Sequence, residues 1–520
     1  MIENPKITYH NDSTSQLVLP IVSDYLIDYS DPVHTFNEVM KGINLNKYLI
    51  KNNNLGRTGY NLTSLFKIVM FAFMINVRTT RKIEDLCRND IRFMWLSNNI
   101  KPSHNTIQQF IKNNLSHNIE AIFIEINKYL IEKENIDTDT LFIDGTKLEA
   151  NANKYTFVWK KVILKNRTRL YLKISSEIIK LNNLNVINQY QIKDTYQPKL
   201  LSNIIDELAK VIEKEGINFV YGKGTRKTKI QRCYEKLVEY FDKLNEYDKH
   251  LAICGEHRNS YSKSDYDATF MRMKEDHMRN GQLKAGYNIQ IGVSDEYILN
   301  VEVYQARSDY KTFIPFIDSY YQKYGKYPKY PIGDAGYGGY ENYLYCKVKE
   351  MELYLKYPMY SKEKERSFKK QIFNSRNFKY EEDGRIICPK LNEFKLVKTY
   401  MSHSDGYSKE ILNYQGQGCD ECEYQSECTK AKDGIRKLKI IKGVRELELE
   451  AKQNLDSASG ISLRIQRSIE VEGAFGVIKE DNKYRRISRR GLENVKTELS
   501  LVCLGYNLMK YHNKKNRKYS

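Results

Sequence analysis

Three carboxylates and one group of thiols have the types and spacing that suit chemistry. Asp144 closes the apolar run Thr140-Leu-Phe-Ile-Asp144 and is followed by Gly145. Asp334 closes Pro331-Ile-Gly-Asp334, with Gly336, Gly338 and Gly339 directly after it. In both, a short buried strand delivers a carboxylate to its end, and glycine then lets backbone or a phosphate approach closely. Such carboxylates suit hard cations, Mg²⁺ or Mn²⁺. Taken singly, each Asp also fits a plainer role as the cap of the next turn or helix. Glu472 and Lys479 lie seven residues apart on a helical stretch, so seven steps of about 100° return them to nearly one face. Phe475 falls beside them, while Val471 and Ile478 bury the flank. Glu470, the neighbouring acid, points roughly away. Arg485, Arg486, Arg489 and Arg490 follow, a basic cluster suited either to phosphates or to a solvated face. Cys388, Cys419, Cys422 and Cys428 bring four soft ligands within reach of one another, the set a closed structural Zn²⁺ site takes. An iron–sulfur cluster uses the same ligands, and four reduced, unligated thiols remain the plain alternative.

The chain that must position these groups has 520 residues, long enough for two to four domains. It is 41% hydrophobic and 29% charged, a globular balance that argues against disorder. The net charge of +19 favours a polyanionic partner, and with no clean basic amphipathic segment, nucleic acid fits better than a membrane. The most apolar run, Leu65 to Val77, is interrupted by Lys67 and Asn76 and is shorter than the ~20 residues that span a bilayer. The first residues lack a basic stretch followed by an apolar one, so a cytoplasmic, nucleoid-associated protein is expected. Nine cysteines are too few for a disulfide scaffold. Cys87, Cys233, Cys254, Cys346 and Cys503 read as ordinary buried thiols.

A short helix is expected near Asp31–Lys41. From Asn61 to about Asn114, apolar residues at three- and four-residue spacing predict a compact helical set. Within it, Thr79 or Thr80 caps a helix in which Glu84 completes the cap, Ile91–Leu96 forms a short turn, and Ser103 opens another helix. The pattern fits a helix-turn-helix arrangement or a plain bundle. After a helix at about 119–134 comes the Asp144 strand, whose last residue emerges at an edge. Residues 160–250 read as charged helices, with Gly222–Thr225 a basic turn. Tyr287–Val293 and Tyr297–Tyr304 form a strand pair around Ser294-Asp-Glu296. A helix near Lys311–Tyr324 leads to the Asp334 strand, the helix Tyr340–Lys349 and a strand at Leu353–Leu355. Residues 360–440 are polar, basic and cysteine-bearing. Helices at about Leu463–Glu480 and Leu492–Tyr511 finish the chain, before a basic tail. Strands alternating with helices and interrupted by two large insertions predict an α/β core. His277, Asp265, Asp267 and Asp309 are weaker candidates, as accessory groups.

Four stretches carry a resemblance. Thr79-Thr-Arg-Lys-Ile-Glu-Asp-Leu-Cys-Arg88, through Phe93-Met-Trp-Leu96 to Pro102-Ser-His-Asn-Thr106, resembles the N-terminal domain of bacterial insertion-sequence DDE transposases. The likeness is to the IS-four-like clan, nearest its eleven-eighty-two group. Phe142-Ile-Asp-Gly-Thr-Lys147 resembles the first catalytic-aspartate motif and Gly333-Asp-Ala-Gly-Tyr-Gly338 the second. Val471-Glu-Gly-Ala-Phe-Gly-Val-Ile-Lys479, with Arg485 and Arg486, resembles the glutamate helix. The run Asp267–Met278, continuing to Gly286-Tyr-Asn288, is similar too. Gly333, Gly339 and Tyr484 depart from residues common in relatives. Relatives often have Tyr and Arg upstream of the glutamate; here Arg464 and Arg467 occur with no Tyr between Ile461 and Ile469.

The resemblance, and not periodicity, joins three distant acids into one site. It implies an RNase-H-like catalytic core with a helical N-terminal DNA-binding domain, a long helical insertion and a cysteine-bearing insertion. The boundaries it implies are an N-terminal segment 1–55, a helix-turn-helix-like domain 56–135, a catalytic domain 136–512 with insertions at about 155–260 and 360–445, and a tail 513–520. It further implies a triad of Asp144, Asp334 and Glu472 holding two divalent ions ~3.5–4 Å apart. Lys479, Arg485 and Arg486 would hold DNA phosphates. A homodimer would bring terminal inverted repeats and target DNA together for strand cleavage and strand transfer. A transposase-derived DNA-binding protein without catalysis, a nuclease without strand transfer and a zinc-scaffold interaction protein are the competing readings.

Overall fold

The computed structural model describes residues 27–49, 59–221, 226–273, 281–381, 384–403 and 407–519. Most of the 1–55 segment, the Gly222–Thr225 turn and His277 lie outside the described residues.

The chain is a mixed α/β protein with a helical N-terminal region and two principal sheets. The main sheet is organised on the strand Thr140–Glu149. Leu283–Ser294 pairs with one edge of it, antiparallel, with Asp144 opposite Ile291. Tyr297–Tyr304 pairs antiparallel to Leu283–Ser294 in turn, through a two-residue turn in which Asp295 and Glu296 both take positive φ. That turn suits the right-handed twist of a hairpin. On the other edge Tyr330–Gly333 runs parallel to the central strand and Tyr354–Leu355 parallel to Tyr330–Gly333. A short strand, Thr269–Arg272, adds to the start of Leu283–Ser294.

The central strand does not end at Asp144 as its apolar run suggests; it continues to Glu149. Asp144 is placed mid-strand, two residues past the last parallel pair, Phe142 with Ile332. The neighbouring strand leaves the sheet there, at Gly333. The opening needed to expose a carboxylate therefore comes from the neighbour stopping, and not from the Asp144 strand itself ending.

The helical N-terminal region and the main sheet share one continuous core. It runs from Phe36, Phe66, Val69 and Phe93 through Ile122 and Phe123 to Phe142, Ile291, Ile332 and Leu504. The apolar run Leu62–Met74 is a helix buried from Leu65 to Met74 except for Lys67, which explains its unusual hydrophobicity. Buried polar groups fix the joint between regions. Asn507 donates to Asn127 Oδ1 (2.9 Å) and Ile298 O (2.8 Å) and accepts from Ile298 N (2.8 Å). Such fully satisfied networks specify a single packing arrangement. Three helices, Lys160–Asn182, Pro198–Lys214 and Lys229–Cys254, form a separate cluster around Ile174, Ile204 and Leu237.

The predicted cap at Thr79 differs in detail. The helix is Thr80–Asn89, Thr79 makes no side-chain cap, and Glu84 serves the next unit instead. Its Oε2 accepts from His104 N (2.9 Å) and pairs with the His104 ring (2.7 Å), at the start of His104–Phe110. Ser103 does cap that helix, through Thr106 N (3.3 Å). Ile91–Ser97 is a true helix, capped by Asp90.

Residues 379–441, expected only to be polar and basic, form a five-stranded antiparallel sheet. Its strands are Lys379–Tyr380, Ile386–Ile387, Glu393–Ser402, Lys409–Gly416 and Lys437–Ile441. A helix, Val444–Asp456, then leads into Ala458–Gly476, the helix bearing Glu472. The last helix, Leu492–Tyr519, runs through the expected tail. Among the described residues no helix is long and apolar enough to cross a membrane.

Candidate active site

Asp144, Asp334 and Glu472, far apart in sequence, line one cavity of about 450 Å³ together with Lys479. Gly145, Thr146, Lys147, Asn288, Asp309, Arg467, Phe475, Gly476 and Glu480 complete its wall. Each acid is delivered by a different device. Asp144 rides the central strand. Asp334 follows the parallel strand directly, and its Oδ1 accepts from Gly336 N (2.8 Å), so it does cap its own turn. Glu472 projects from the helix Ala458–Gly476 whose Val471 and Ala474 are fully buried.

The glycines after Asp334 serve backbone packing. A Cβ at Gly338 would stand 2.0 Å from Lys356 O, and one at Gly339 would stand 2.4 Å from the Tyr310 ring. The turn can press onto the strand end at Leu355 only because those side chains are missing.

Arg467, read in the sequence only as a departure upstream of Glu472, reaches back to the central strand. Its Nε donates to Ile143 O (3.1 Å), and its Nη2 stands 3.0 Å from Asp144 Oδ1. It is 8% exposed, so its charge is largely withdrawn from water. Burial raises the Asp144 carboxyl above the usual aspartate range; Arg467 pulls it down, and Asp334 and Asp309 push it up further. The carboxylates therefore repel one another in a site where one guanidinium offsets part of their charge.

Asp309 is the acid that sequence reasoning ranked too low. It lines the same cavity, and its Oδ1 accepts from Asn288 Nδ2 (2.7 Å) and Gln290 Nε2 (3.0 Å). Both amides are fully buried, and Gln290 is itself held by the Tyr337 hydroxyl. Burial raises the Tyr337 hydroxyl well above its ordinary value, with Asp144, Asp309 and Asp334 adding to the shift. The signal available in sequence was the alternation Asn288, Gln290 on a strand otherwise rich in Ile and Val, polar groups that need a partner when buried.

The other candidates separate from the cavity. Asp265 accepts from Tyr287 OH (3.0 and 2.9 Å) and Gly491 N (3.2 Å), and Asp267 accepts from Leu492 N (2.9 Å), tying this loop to the start of the last helix. Glu470 is buried and accepts from Glu296 N (3.1 Å) and Gln466 Nε2 (2.8 Å), and burial raises its carboxyl. Two residues on, Glu472 is exposed. The helix gives way to a π-turn at Val477–Asp481, which carries Lys479 and Glu480. Inserted π-turns of this kind recur where a side chain must be re-aimed. Lys479 is 8% exposed, with its ammonium 5.3 Å from the Phe475 ring centre. Arg485 pairs with Glu480 at the cavity rim. Arg486 lies over the end of the central strand, donating to Ala150 O and Ala152 O (both 3.4 Å). Arg490 donates to Asn151 O (2.7 Å) and Arg489 reaches Gln108 Oε1 (3.4 Å).

Hard oxygen donors and surplus negative charge fit a divalent cation. Among the described residues, however, no three acids, histidines or cysteines stand close enough together to hold one. The four late cysteines are half-buried beside the small sheet, and burial raises the Cys428 thiol, with Cys419, Cys388 and Cys422 in electrostatic range of it. The other five thiols are buried, as expected.

Residues 387–512 match the family model described as "Transposase DDE domain", and residues 23–113 match "Transposase domain (DUF772)". The first span contains Glu472 and Lys479; the second contains the Thr79–Thr106 stretch. No curated protein and no solved structure matches the chain. A DDE domain goes in general with polynucleotidyl transfer and divalent metal dependence, and transposases in general bind DNA.

Proposed function

We propose that this chain, which its two domain matches support as a bacterial insertion-sequence DDE transposase, cuts DNA at the ends of its element and joins them to a target using Asp144, Asp334 and Glu472. One observation carries the reading: the three acids come from three distant stretches, the last of which also brings Lys479, and all four residues line a single cavity. The order of the five principal strands, with three antiparallel members followed by two parallel ones, supports an RNase-H-like core. On this reading residues 56–135 contribute to DNA recognition and 136–512 form the catalytic unit, with insertions at about 155–260 and 360–445. Membership of the eleven-eighty-two-like group is part of the same proposal.

In the first step a phosphodiester at the element's end is hydrolysed: water oxygen bonds to phosphorus and the 3′-oxygen departs with a proton. In the second, that 3′-hydroxyl bonds to a target phosphorus and expels the target's own 3′-oxygen. Asp144, Asp334 and Glu472 would hold Mg²⁺ or Mn²⁺, which when bound would supply charge neutralisation at phosphorus and a more acidic nucleophile. Arg467 holds the Asp144 carboxylate in place and offsets part of the burial and the like-charge repulsion that raise its carboxyl. Asn288 and Gln290 orient Asp309, which adds negative charge to the same wall. Lys479, drawn out of water beside Phe475, contacts the phosphate next to the cut, where a desolvated ammonium acts most strongly. Arg485 and Arg486 extend that basic lining along the rim. Cys388, Cys419, Cys422 and Cys428 would be the ligands of a structural Zn²⁺ beside the small sheet. Two copies act together, because both element ends must meet.

The test uses the full chain and its Asp334→Ala variant with labelled element-end DNA and Mg²⁺ or Mn²⁺, following binding and nicking together. Binding by both with nicking at the repeat boundary by wild type alone is the expected result. Binding by both and nicking by neither would replace the reading with a DNA-binding protein that no longer cuts.

A further inference from the structure

The small sheet has two unlike faces. In an antiparallel sheet, residues directly opposite one another share a face, and alternate residues along a strand change face. The register places Leu396, Tyr414 and Leu438 in one row, and Thr399, Leu412 and Ile440 in another. Leu438 is buried, and Tyr414 and Ile440 pack with it against Phe378, Ile386 and Phe394. The opposite face carries the rows Lys395–Gln415–Lys437, Lys398–Asn413–Lys439 and Tyr400–Ile411–Ile441. Its four lysines are exposed.

We infer that this lysine face binds the phosphate backbone of duplex DNA, alongside the site where the strand is cut; the inference rests on the transposase reading above. The four lysines lie on the two strands that flank Lys409–Gly416, about 10 Å apart, with Gln415 and Asn413 between them. The bulge between Leu396 and Lys398 restores Lys398 to the lysine face after Lys395, where unbroken alternation over three residues would put it on the other side. Without it the two lysines of this strand would point to opposite sides. Lys437 is paired with Asp433. Lys395, Lys398 and Lys439 make no ion pair among the described residues, so their charge is uncompensated at short range. Glu393, one row beyond Lys395, is the acid sharing the face. Asp420, Glu421, Glu423 and Glu427 belong to the cysteine loop instead. Asn413 and Gln415 between the lysines are neutral donors that suit phosphate oxygens, and Tyr400 extends the face. An anionic membrane would ask for apolar residues among the lysines. Here the residues between them within the two lysine rows are the amides Gln415 and Asn413, and the apolar Ile411 and Ile441 lie beyond the lysines, in the row of Tyr400. The sheet contacts the body through Lys409, which pairs with Glu341 on the helix Tyr340–Val348, the helix that follows the Asp334 turn.

The test measures binding of fluorescent duplex carrying the element end with flanking DNA, from about 50 to 200 mM salt. It compares wild type with a Lys395→Gln/Lys398→Gln/Lys439→Gln variant and with the corresponding triple Lys→Arg variant. Loss of three phosphate contacts should lower the slope of log K against log salt by about 2–3 and weaken binding by roughly tenfold or more. The Lys→Arg variant should keep the wild-type slope. An unchanged slope and affinity in a folded Lys→Gln variant would overturn the inference while leaving the transposase reading standing. Equal losses in the Gln and Arg variants would also overturn it, since the contacts would then not be simple charge pairing. Binding of wild type to phosphatidylserine vesicles, with the DNA slope unchanged by Lys→Gln, would assign the face to a membrane. Failure of wild type to bind the duplex at any salt would instead remove the transposase reading, and this inference with it.

Discussion

The sheet that carries Asp144 and Asp334 is packed into a core shared with the N-terminal helices and the last helix. The sheet of residues 379–441 closes its core on Phe378, Ile386, Phe394 and Leu438 and leaves the other face to water. The two do different work. In the first, buried amides hold Asp309, a buried guanidinium holds Asp144 and a tight glycine turn follows Asp334; the cost of crowding like charges is carried by a core large enough to bear it. In the second, a handful of apolar contacts suffice because the sheet presents charge outward and converges on no cavity. Position is therefore over-determined in one sheet and only loosely determined in the other.

The largest effect should come from the pair of glutamates two residues apart. Glu472→Gln should lower nicking by on the order of 10³-fold or more, as removal of a residue acting in the reaction does. Glu470→Gln should leave the nicking rate within about threefold, because Glu470 serves the hairpin through Glu296 N and lies outside the cavity. Rate measurements on both variants at saturating DNA check this. A deep loss in Glu470→Gln with a normal Glu472→Gln would exchange their roles and dissolve the triad.

Next in size is a pair of truncations that sets the two sheets against each other. Phe142 is 1% exposed in the shared core and Phe394 is 3% exposed in the small one. Each Phe→Ala change removes a comparable ring, worth ~3–5 kcal/mol in a well-packed interior. Phe142→Ala should lower the main thermal transition and speed amide exchange across the central strand and its neighbours. Phe394→Ala should release residues 379–441 to exchange while the strand Thr140–Glu149 stays protected. Hydrogen exchange resolved by segment distinguishes the two. Joint loosening of both sheets in Phe394→Ala would show that the small sheet is part of the main cooperative unit.

The same contrast explains what could be read from sequence. The strand-Asp-Gly pattern found Asp144 and Asp334, and helical spacing put Glu472 and Lys479 together, since each rests on local periodicity. The small sheet escaped because Lys395-Leu-Val-Lys398 breaks strand alternation at the bulge, so the apolar/polar period that marks a half-buried strand is interrupted there. Arg467 escaped for another reason: both its partners, Ile143 O and Asp144, lie more than 300 residues earlier, and no spacing rule reaches that far. Asp309 was visible only as a lone acid. Its importance comes from two amides on a strand whose fully buried state was not predicted.

The subtlest test concerns the charge the main sheet tolerates at Asp144. Its carboxyl is raised in the folded protein by burial, offset in part by Arg467. A carboxylate raised on folding adds stability at pH below its unfolded value near 3.8, and that stability is lost as pH rises through the folded value. At neutral pH the ionised Asp144 is thus a liability. Asp144→Asn should raise thermal stability there by roughly 1 kcal/mol while abolishing nicking, and the gain should fade as the solution is acidified toward pH 4. Adding Mn²⁺ should reverse the ranking. Wild type should gain stability with metal concentration, since an ion bound only by the folded state stabilises it, and Asp144→Asn should gain much less. Thermal melts of both proteins across pH 4–8, with and without Mn²⁺, read all of these signs. A destabilised Asp144→Asn at pH 7 would mean that the pairing with Arg467 outweighs the repulsion from Asp334 and Asp309, and that this sheet holds its acids by attraction.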